Sequence, residues 1–533
     1  MEETATAQQR TEPPNTGHPR RWVILGVLVV SLLVVVLDNT ILNVALRVLA
    51  DPVQGLGATQ AQLEWSINSY TLVFAGLLFT FGVLGDRLGR RRLLLVGLVL
   101  FGLSSLASGY AQDAGQLIAA RALMGLSAAA IMPVTLSIIS TVFDPRERGR
   151  AIGIWAGAVG LGAAIGPITG GFLLEHFWWG SIFLINVPVV AAGVLAVVLL
   201  VPESRDPHPG RPDLVGMALS VAGLVALVYG IIDGGEHGFD RPVVWAAISA
   251  GVAVLAGFVA WERRVRYPSL DVRLFRDPRF ATATGVIALM FFSALGVFFF
   301  MTFFLQLVRG YTPLQAGAMF VPFAVSQLVF APRSAAMVKR YGAKAVSAVG
   351  LGLSAVALAG WMFIDAETPI WVVGALFFVQ GAGMANVMPP AMESILSTLP
   401  RERAGVGSAV ANTVRQVGGA LGIAVLGAVV MGVYRGQIEP VAAALPAGDA
   451  AGVRESIAGA YGVAEQLGGS GQPGLVPAAN DAFLTAVHIA AGLSAVIALL
   501  TVLVVLRWLP GRPRPVPEPP TGEREPAELA RVT

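Results

Sequence analysis

Long apolar segments separated by short polar ones follow one another along almost the whole chain. The first runs from Trp22 to Leu37, directly after Arg20 and Arg21. About 20 residues at a rise of 1.5 Å cross the hydrocarbon core of a membrane, so each such segment is a candidate membrane helix. The pattern predicts fourteen spans, at 22–49, 66–84, 93–111, 115–142, 150–173, 181–201, 214–234, 242–261, 280–306, 315–338, 345–364, 369–396, 405–434 and 482–509.

The composition agrees with an integral membrane protein. Of the 533 residues, 55% are hydrophobic and 13% are charged, whereas a soluble domain is about 25% charged. Several soluble domains do not explain such a chain, so an all-α membrane protein is the expected fold class. The polar segment 1–21 is predicted as a cytoplasmic tail, and the apolar segment after it as a first span rather than a signal peptide.

Positive charge is concentrated on one side of the predicted topology. An even number of spans puts both termini on the same side, and 29 of the 36 Lys and Arg residues fall in the tails and loops of that side. Cytoplasmic loops carry an excess of Lys and Arg. We therefore expect a multi-pass protein of the cytoplasmic membrane with both termini in the cytoplasm. The net charge of +3 needs no nucleic-acid partner, because the basic residues lie beside spans.

Two segments outside the spans have a distinctive composition. Residues 435–481, on the side away from the termini, are rich in Gly, Ala and Pro. They predict a flexible extracytoplasmic loop with at most a short helix. Residues 510–533 are rich in Pro and charge, so they predict a disordered cytoplasmic tail.

Two basic loops match at an offset of 253 residues. GDRLGRRR at 85–92 and VKRYGAKA at 338–345 share a basic residue, a glycine and a second basic residue at equivalent positions. Both follow a predicted span on the same side, which suggests two parallel halves of the kind found in secondary transporters. The halves would be 22–201 and 280–509, with two inserted spans in the linker 202–279.

Asp38 lies inside the first predicted span, and Arg121 lies inside the fourth. A charge inside the membrane is costly and marks a functional site by default. Asp38 is either a group that loads and releases a proton or a structural acid near the end of its helix. An unpaired buried arginine would be very costly, so Arg121 needs a partner, and Asp38 is one possibility.

Glycines and a proline interrupt the fifth predicted span. They are Gly162, Gly166, Pro167, Gly170 and Gly171. Small residues at such spacing form a smooth stripe that another helix can approach closely, and an internal proline bends the helix. The segment is either ordinary small-residue packing or a hinge in a helix that moves.

The loop after the second span combines one acid with a basic cluster. Its residues are Gly82, Asp86, Arg87, Gly89, Arg90 and Arg91. Asp86 can cap or pair with a neighbouring helix end, and the arginines can bind lipid phosphates or carboxylates. The alternative is a basic loop that only fixes the topology.

A polar face is predicted in the thirteenth span. Asn412, Arg415 and Gln416 are spaced to share one side of a helix, where they line a cavity or contact another helix. The chain has no cysteine, no paired metal ligands and no Ser-His-Asp group. We therefore expect no enzyme, no metal site and no cofactor.

Three of these patterns resemble a known family. The spacing G-x-x-x-D-R-x-G-R-R at 82–91 resembles the signature loop of the major facilitator superfamily. G-x-x-x-G-P-x-x-G-G at 162–171 resembles the antiporter motif of its drug exporters, and LDNTILNVAL at 37–46 resembles the first-helix motif of its fourteen-span drug:proton antiporters. The resemblance covers about 22–509. It implies a major facilitator fold of two six-helix halves with two extra helices between them.

The resemblance also implies a function, the export of amphipathic drugs or antibiotics in exchange for protons by alternating access. It implies proton coupling through Arg121 and Asp38, and a close contact between the fifth and tenth spans at the antiporter motif. One departure is Arg47, where the family pattern usually has proline. Two alternatives stay open, a dedicated exporter of one self-made metabolite or lipid and a non-transporting receptor or scaffold. The expected partners are an amphipathic or hydrophobic small molecule and the lipid bilayer.

Overall fold

A computed structural model describes residues 18–205, 212–268, 270–399, 404–467 and 474–509. Of the predicted tails, residues 1–17 of the first and all of 510–533 lie outside the described residues. The first half of the chain forms α1 (Arg21–Ala50), α2 (Gln60–Leu88), α3 (Arg90–Gly109), α4 (Ala114–Val142), α5 (Pro145–His176), α6 (Ser181–Leu184) and α7 (Asn186–Leu200).

The remaining helices continue in the predicted order. An inserted pair, α8 (Leu214–His237) and α9 (Pro242–Glu262), is followed by the second half. That half forms α10 (Pro278–Phe303), α11 (Pro313–Ala318), α12 (Val321–Tyr341), α13 (Ala343–Gly360), α14 (Ile370–Ala385), α15 (Met388–Ser397), α16 (Ala404–Ala442), α17 (Ala447–Glu455), α18 (Ile457–Gln466) and α19 (Leu475–Trp508).

The predicted spans agree with these helices. Thirteen helices of the described residues are long and apolar enough to cross a membrane, and they cover every predicted span except 150–173. There the chain forms the 32-residue helix α5. The protein is therefore an all-α, multi-pass membrane protein, while the count of fourteen spans stays a prediction.

The two halves repeat one pattern of helix packing. In the first half α1 packs on α5, both α2 and α3 pack on α4, and α7 packs against α1 and α3. In the second half α10 packs on α16, both α12 and α13 pack on α14, and α19 packs against α10 and α13. Each pair of packed helices in the first half therefore corresponds to a pair at the same positions in the order of the second half. The repeated packing agrees with the predicted fold of two parallel halves.

A capping box begins the second crossing helix of each half. The Thr59 hydroxyl accepts from the Gln62 amide N–H at 3.2 Å, and the Gln62 side chain accepts from the Thr59 N–H at 3.0 Å. Thr312 and Gln315 make the same pair of bonds at 3.3 and 3.1 Å. Such a box satisfies two backbone N–H groups that a helix start leaves unpaired. The boxes lie 253 residues apart, the offset of the two basic loops.

A glycine of each basic loop ends the equivalent helix of its half, α2 in the first and α12 in the second. Gly89 has φ of 114° and Gly342 has φ of 86°, conformations that only glycine adopts readily. The next helix begins directly after each glycine, at Arg90 and at Ala343. The two loops are therefore equivalent in backbone conformation as well as in sequence.

The inserted pair lies beside both halves. Helix α8 packs against α9, against α2 of the first half and against α16 of the second half. The approach to α16 is close, because a Cβ built on Gly235 would lie 2.7 Å from the Cα of Ala428. Helix α8 therefore bridges the halves. In α9, by contrast, only 11% of the most apolar segment is buried inside the protein.

The two halves also contact each other at one end of the bundle. We call the end where α1 begins and α19 ends the terminal face, and the other end the opposite face. At the opposite face the Gln306 amide donates a 2.8 Å hydrogen bond to the Val44 carbonyl, joining α10 to α1. Gly317 of α11 lies against the Pro167 carbonyl of α5. These contacts close the opposite face between the halves.

The segment 435–481, predicted as a flexible loop, instead packs against the bundle where it is described. Helix α16 continues to Ala442, and α17 and α18 follow. Val453, Ile457 and Ala460 are buried, and the Tyr434 hydroxyl donates a 3.1 Å hydrogen bond to the Val453 carbonyl. The prediction of a flexible loop was wrong for the described part. The many Ala and Gly residues of this segment hid the few apolar side chains that recur at helical spacing and pack against the bundle.

Candidate functional site

A buried ion pair lies inside the first half. Arg121 of α4 donates through Nη1 to Oδ2 of Asp38 on α1, and the two side chains are 0% and 1% exposed. Each charge would be very costly alone in this interior, and each compensates the other. The structure thus brings together the two charged residues that the sequence places in separate spans.

Arg121 is also held by α2. Its Nε donates a 3.1 Å hydrogen bond to the Ser66 carbonyl, and its guanidinium lies 4.5 Å from the centre of the Tyr70 ring. A cation over a desolvated aromatic face gains further electrostatic stabilisation. Nη2 is buried without a hydrogen-bond partner among the described residues. The arginine is therefore fixed in place but keeps one free donor.

Asn186 completes the site. Its Nδ2 donates to Oδ1 of Asp38 and to Oγ of Ser105, both at 3.1 Å, and Ser105 in turn donates to the Phe183 carbonyl at 2.9 Å. Helices α1, α3, α4 and α7 thus meet at one buried polar network. Sequence reasoning missed Asn186 and Ser105, although Asn186 stands out as an amide within the apolar FLINVPV segment.

This arrangement suits the handling of a single proton. The negative charge of Asp38 is balanced by the positive charge of Arg121. If the carboxylate binds a proton, it becomes neutral and no longer needs the arginine. The Nη1 group of Arg121, which donates to the carboxylate in the paired state, can then turn to another acceptor. The network can therefore exist in two electrostatic states inside one packed half.

The basic loop after α2 holds the chain segment that follows α7. Asp86 accepts from Nε and Nη2 of Arg90 at 2.9 and 2.7 Å. Arg91 donates from Nη2 to the Val198 carbonyl at 2.5 Å, and its backbone N–H donates to Oε1 of Glu203 at 3.2 Å. These contacts stay within the first half and tie α2 and α3 to the end of α7.

The other loop residues have smaller contacts. A Cβ on Gly82 would lie 3.9 Å from Pro133, and one on Gly89 would lie 2.7 Å from Glu203. Arg87 is exposed. Gly89 is thus required by its backbone conformation, whereas Arg87 is free to meet solvent or lipid headgroups.

Three glycines of the fifth span face α1. A Cβ on Gly162 would lie 2.9 Å from Val36, one on Gly166 would overlap the Thr40 hydroxyl, and one on Gly170 would lie 3.0 Å from Ile41. The resemblance implied a contact between the fifth and tenth spans for the whole motif. That expectation needs correction here, because the three glycines lie one turn apart and form a stripe against the neighbour helix of their own half.

The rest of the motif makes the expected contact. A Cβ on Gly171 would lie 2.5 Å from the Pro313 carbonyl oxygen and 2.6 Å from the Leu314 Cα. The Pro167 carbonyl meets Gly317. Pro167 and Gly171 therefore lie at the interface of the two halves, on the opposite face.

The polar face of α16 is divided between two surroundings. The Asn412 amide donates to the Ser408 carbonyl of its own helix at 3.0 Å, and Gln416 is buried. The Arg415 guanidinium lies 5.7 Å from the centre of the Phe291 ring, which belongs to α10 of the same half. No carboxylate of the described residues pairs with Arg415, whose Nε is buried without a partner.

Comparison of the sequence with known proteins identifies the family of the chain. The family model of the Major Facilitator Superfamily matches residues 28–423. The multidrug efflux pump LfrA of Mycolicibacterium smegmatis is 35% identical, over 92% of this chain and 97% of that protein. The tetracenomycin C resistance and export protein of Streptomyces glaucescens is 34% identical over 82% of each chain. The methyl viologen resistance protein SmvA of Salmonella typhimurium is 32% identical over 92% and 98%.

Solved structures agree on the fold. A bacterial homolog of the human lysosomal transporter Spinster, in an inward-facing and occupied conformation, has a TM-score of 0.65 at 17% identity, over 92% of this chain and 98% of that one. A POT family transporter has a TM-score of 0.63 at 14% identity, over 90% and 95%. The chain belongs to the Major Facilitator Superfamily, and it is a membrane transporter rather than an enzyme.

Proposed function

We propose that this protein exports amphipathic drugs or antibiotics across the cytoplasmic membrane in exchange for protons. The observation that carries the proposal is the ion pair of Asp38 and Arg121, buried inside a membrane-spanning half. Intramembrane charges of this kind mark ion pathways and proton relays. The names of the relatives, a multidrug efflux pump and two resistance proteins, support the choice of drugs as cargo.

The proton step takes place at the carboxylate of Asp38. A proton arriving from water outside the cell forms an O–H bond at Asp38, and the pairing with Arg121 is lost. When the site faces the cytoplasm, that bond breaks, the proton passes to water there, and the pair forms again. One proton thus enters the cell for each complete cycle at this site.

Alternating access follows from contacts between the halves. Both termini lie in the cytoplasm in this proposal, so the opposite face points outwards. The bond from Gln306 to Val44 and the contact of Gly317 with Pro167 must break when the protein opens outwards. Val44 lies on α1 less than two turns beyond Asp38, so a change of protonation reaches this contact along one helix.

The substrate lies between the halves. Tyr70 belongs to the first half, and Phe291 and Arg415 belong to the second. Aromatic walls with a few polar groups accept many amphipathic compounds, because the apolar contacts are not directional. The arrangement supports a broad rather than a narrow specificity.

Inverted membrane vesicles provide the test. With an imposed proton gradient, the wild type should take up a fluorescent cationic dye, whereas Asp38→Asn should show almost no gradient-driven uptake. Asp365→Asn, a change of an exposed loop acid, is the matched control and should transport normally. Equal uptake by wild type and Asp38→Asn would move proton coupling to another group.

A dedicated exporter of one compound is the second candidate. Two relatives from Streptomyces are named for single compounds, tetracenomycin C and puromycin. A panel of chemically diverse toxic compounds separates the two functions. Protection against many of them supports multidrug export, and protection against one supports the dedicated exporter.

A further inference from the structure

A second carboxylate is buried in the membrane region, apart from the network of Asp38. Glu64 of α2 is 2% exposed. Its carboxylate lies directly against Gly427 of α16, where any added Cβ would overlap it. A cavity of about 10 Å³ beside it is also lined by Ala61, Glu236 and Met431, close to the smallest space that holds a water molecule.

Glu64 has no cationic partner. Within the described residues, no Lys, Arg or His lies within ion-pair distance of its carboxylate, and Arg121 is already paired with Asp38. A charged carboxylate without a partner is very costly in an apolar interior. The closed structure therefore favours the neutral, protonated carboxyl at this position.

The position of Glu64 links that charge state to the conformation of the transporter. Helix α2 belongs to the first half, α16 to the second, and α8 to the inserted pair, and all three line the cavity. Opening of the opposite face separates α2 from α16. Water then reaches the carboxyl, and the charged form is no longer penalised.

We propose that Glu64 is a second proton-binding site, and that its protonation is required for the halves to close at the opposite face. In the open state a hydronium ion from the outside water gives its proton to the carboxylate, an O–H bond forms, and closure buries the neutral group. On opening, that bond breaks and the proton returns to water. The inference rests on the proposed proton-coupled export.

Acidic and basic groups of α8 lie near this site. Glu236 lines the same cavity. Asp233 is held by His237 and Arg241 at 3.0 and 3.6 Å, so it is already balanced. Glu236 lies 3.8 Å from Nδ1 of the same His237, and its carboxylate disfavours a second negative charge at Glu64.

Further charges follow on α16 and α17. Arg435 lies one turn beyond Met431, and Glu439 is paired with Arg454 at 2.7 Å. Burial raises the pKa of the Glu455 carboxyl, the charge of Glu236 raises that pKa further, and Arg435 opposes both. Glu455 is therefore a second group that can titrate nearby, and the experiment needs a variant that removes it.

Cross-linking tests the proposal, because the chain has no native cysteine. Ala61→Cys on α2 and Met431→Cys on α16 place one thiol on each side of the contact. In the full-length protein in lipid vesicles, a short thiol cross-linker should join them several-fold less at alkaline than at acidic pH. The reactivity of thiols rises with pH, so this fall is opposite to the chemistry of the reagent.

The variants at position 64 decide the outcome. Glu64→Gln and Glu64→Met carry no titratable group, so cross-linking should no longer fall with pH, and Glu64→Asp should keep the fall. Glu236→Gln and Glu455→Gln should keep it too. The proposal is overturned if cross-linking still falls with pH in a folded Glu64→Gln or Glu64→Met variant. It is also overturned if the fall disappears in Glu455→Gln but not in the variants at position 64. The readout needs neither substrate nor proton gradient, so it stands apart from the dye-uptake test.

Discussion

Asn186 donates a 3.1 Å hydrogen bond to Oδ1 of Asp38, while Arg121 occupies Oδ2 of the same carboxylate. Both oxygens are therefore engaged, from α7 and from α4. The carboxylate is held in one orientation, and three helices of the first half meet at a single side chain. Any change in the charge of Asp38 acts on all three helices together.

Asn186→Leu should lower proton-driven dye uptake about tenfold, because hydrogen bonds to charged groups contribute roughly 1.5–3 kcal/mol. The substitution leaves Oδ1 of Asp38 without a donor and frees the side chain to shift. Ser105→Ala is the matched control, since it removes the other partner of Asn186 but leaves the bond to Asp38. Its loss of uptake should be smaller, and equal losses would contradict the assigned role of Asn186.

Arg121→Gln should destabilise the protein by about 3–5 kcal/mol, because it leaves Asp38 as an unpaired buried charge. Adding Asp38→Asn should recover most of that stability, since the double variant carries no charge at this position. Thermal unfolding of the purified variants in one detergent measures the difference. A double variant as unstable as the sum of the two single variants would show that the pair does not couple in this way. Neither variant should transport.

The sequence placed the helices and the two buried charges well. Apolar length alone located α1 and α4, and a charge in an apolar run is easy to see, so Asp38 and Arg121 stood out. Their pairing needed the rotation of each helix about its axis, which a single sequence does not contain. The same holds for Asn186, whose partner lies 148 positions away.

Glu64 was missed for a different physical reason. The predicted second span begins at residue 66, whereas α2 begins at Gln60, so Glu64 fell outside the predicted span. Polar residues near a helix start lower the apolar signal even when the packed bundle covers them. The capping box of Thr59 and Gln62 marks the true start, and attention to that motif would have placed Glu64 inside the helix.

Gly166→Ala should lower the stability of the first half by about 1–3 kcal/mol, because the added methyl overlaps the Thr40 hydroxyl in a packed interior. Gly285→Ala is the matched control in another span, since nothing lies within 4 Å of its Cβ position. Thermal unfolding should therefore separate the two variants clearly. Equal unfolding temperatures would show that α1 and α5 can move apart at no cost.

Gly171→Ala acts on a different contact. Its methyl would lie 2.5 Å from the Pro313 carbonyl oxygen, and backbone atoms cannot turn away as a side chain can. The variant should disfavour the closed opposite face. Cross-linking of the Ala61→Cys and Met431→Cys pair should therefore fall at every pH. Unchanged cross-linking in Gly171→Ala would show that this contact does not control closure.

Arg415→Gln should leave the stability unchanged or raise it, in contrast to Arg121→Gln. Arg415 has no acidic partner among the described residues, and its Nε is buried without an acceptor. The Phe291 ring, 5.7 Å away, offsets only part of the desolvation cost of its charge. A residue kept at such a cost is expected to act on the substrate. Dye uptake should therefore change in Arg415→Gln while thermal unfolding does not become easier. A loss of stability as large as that of Arg121→Gln would instead reveal a structural partner for Arg415.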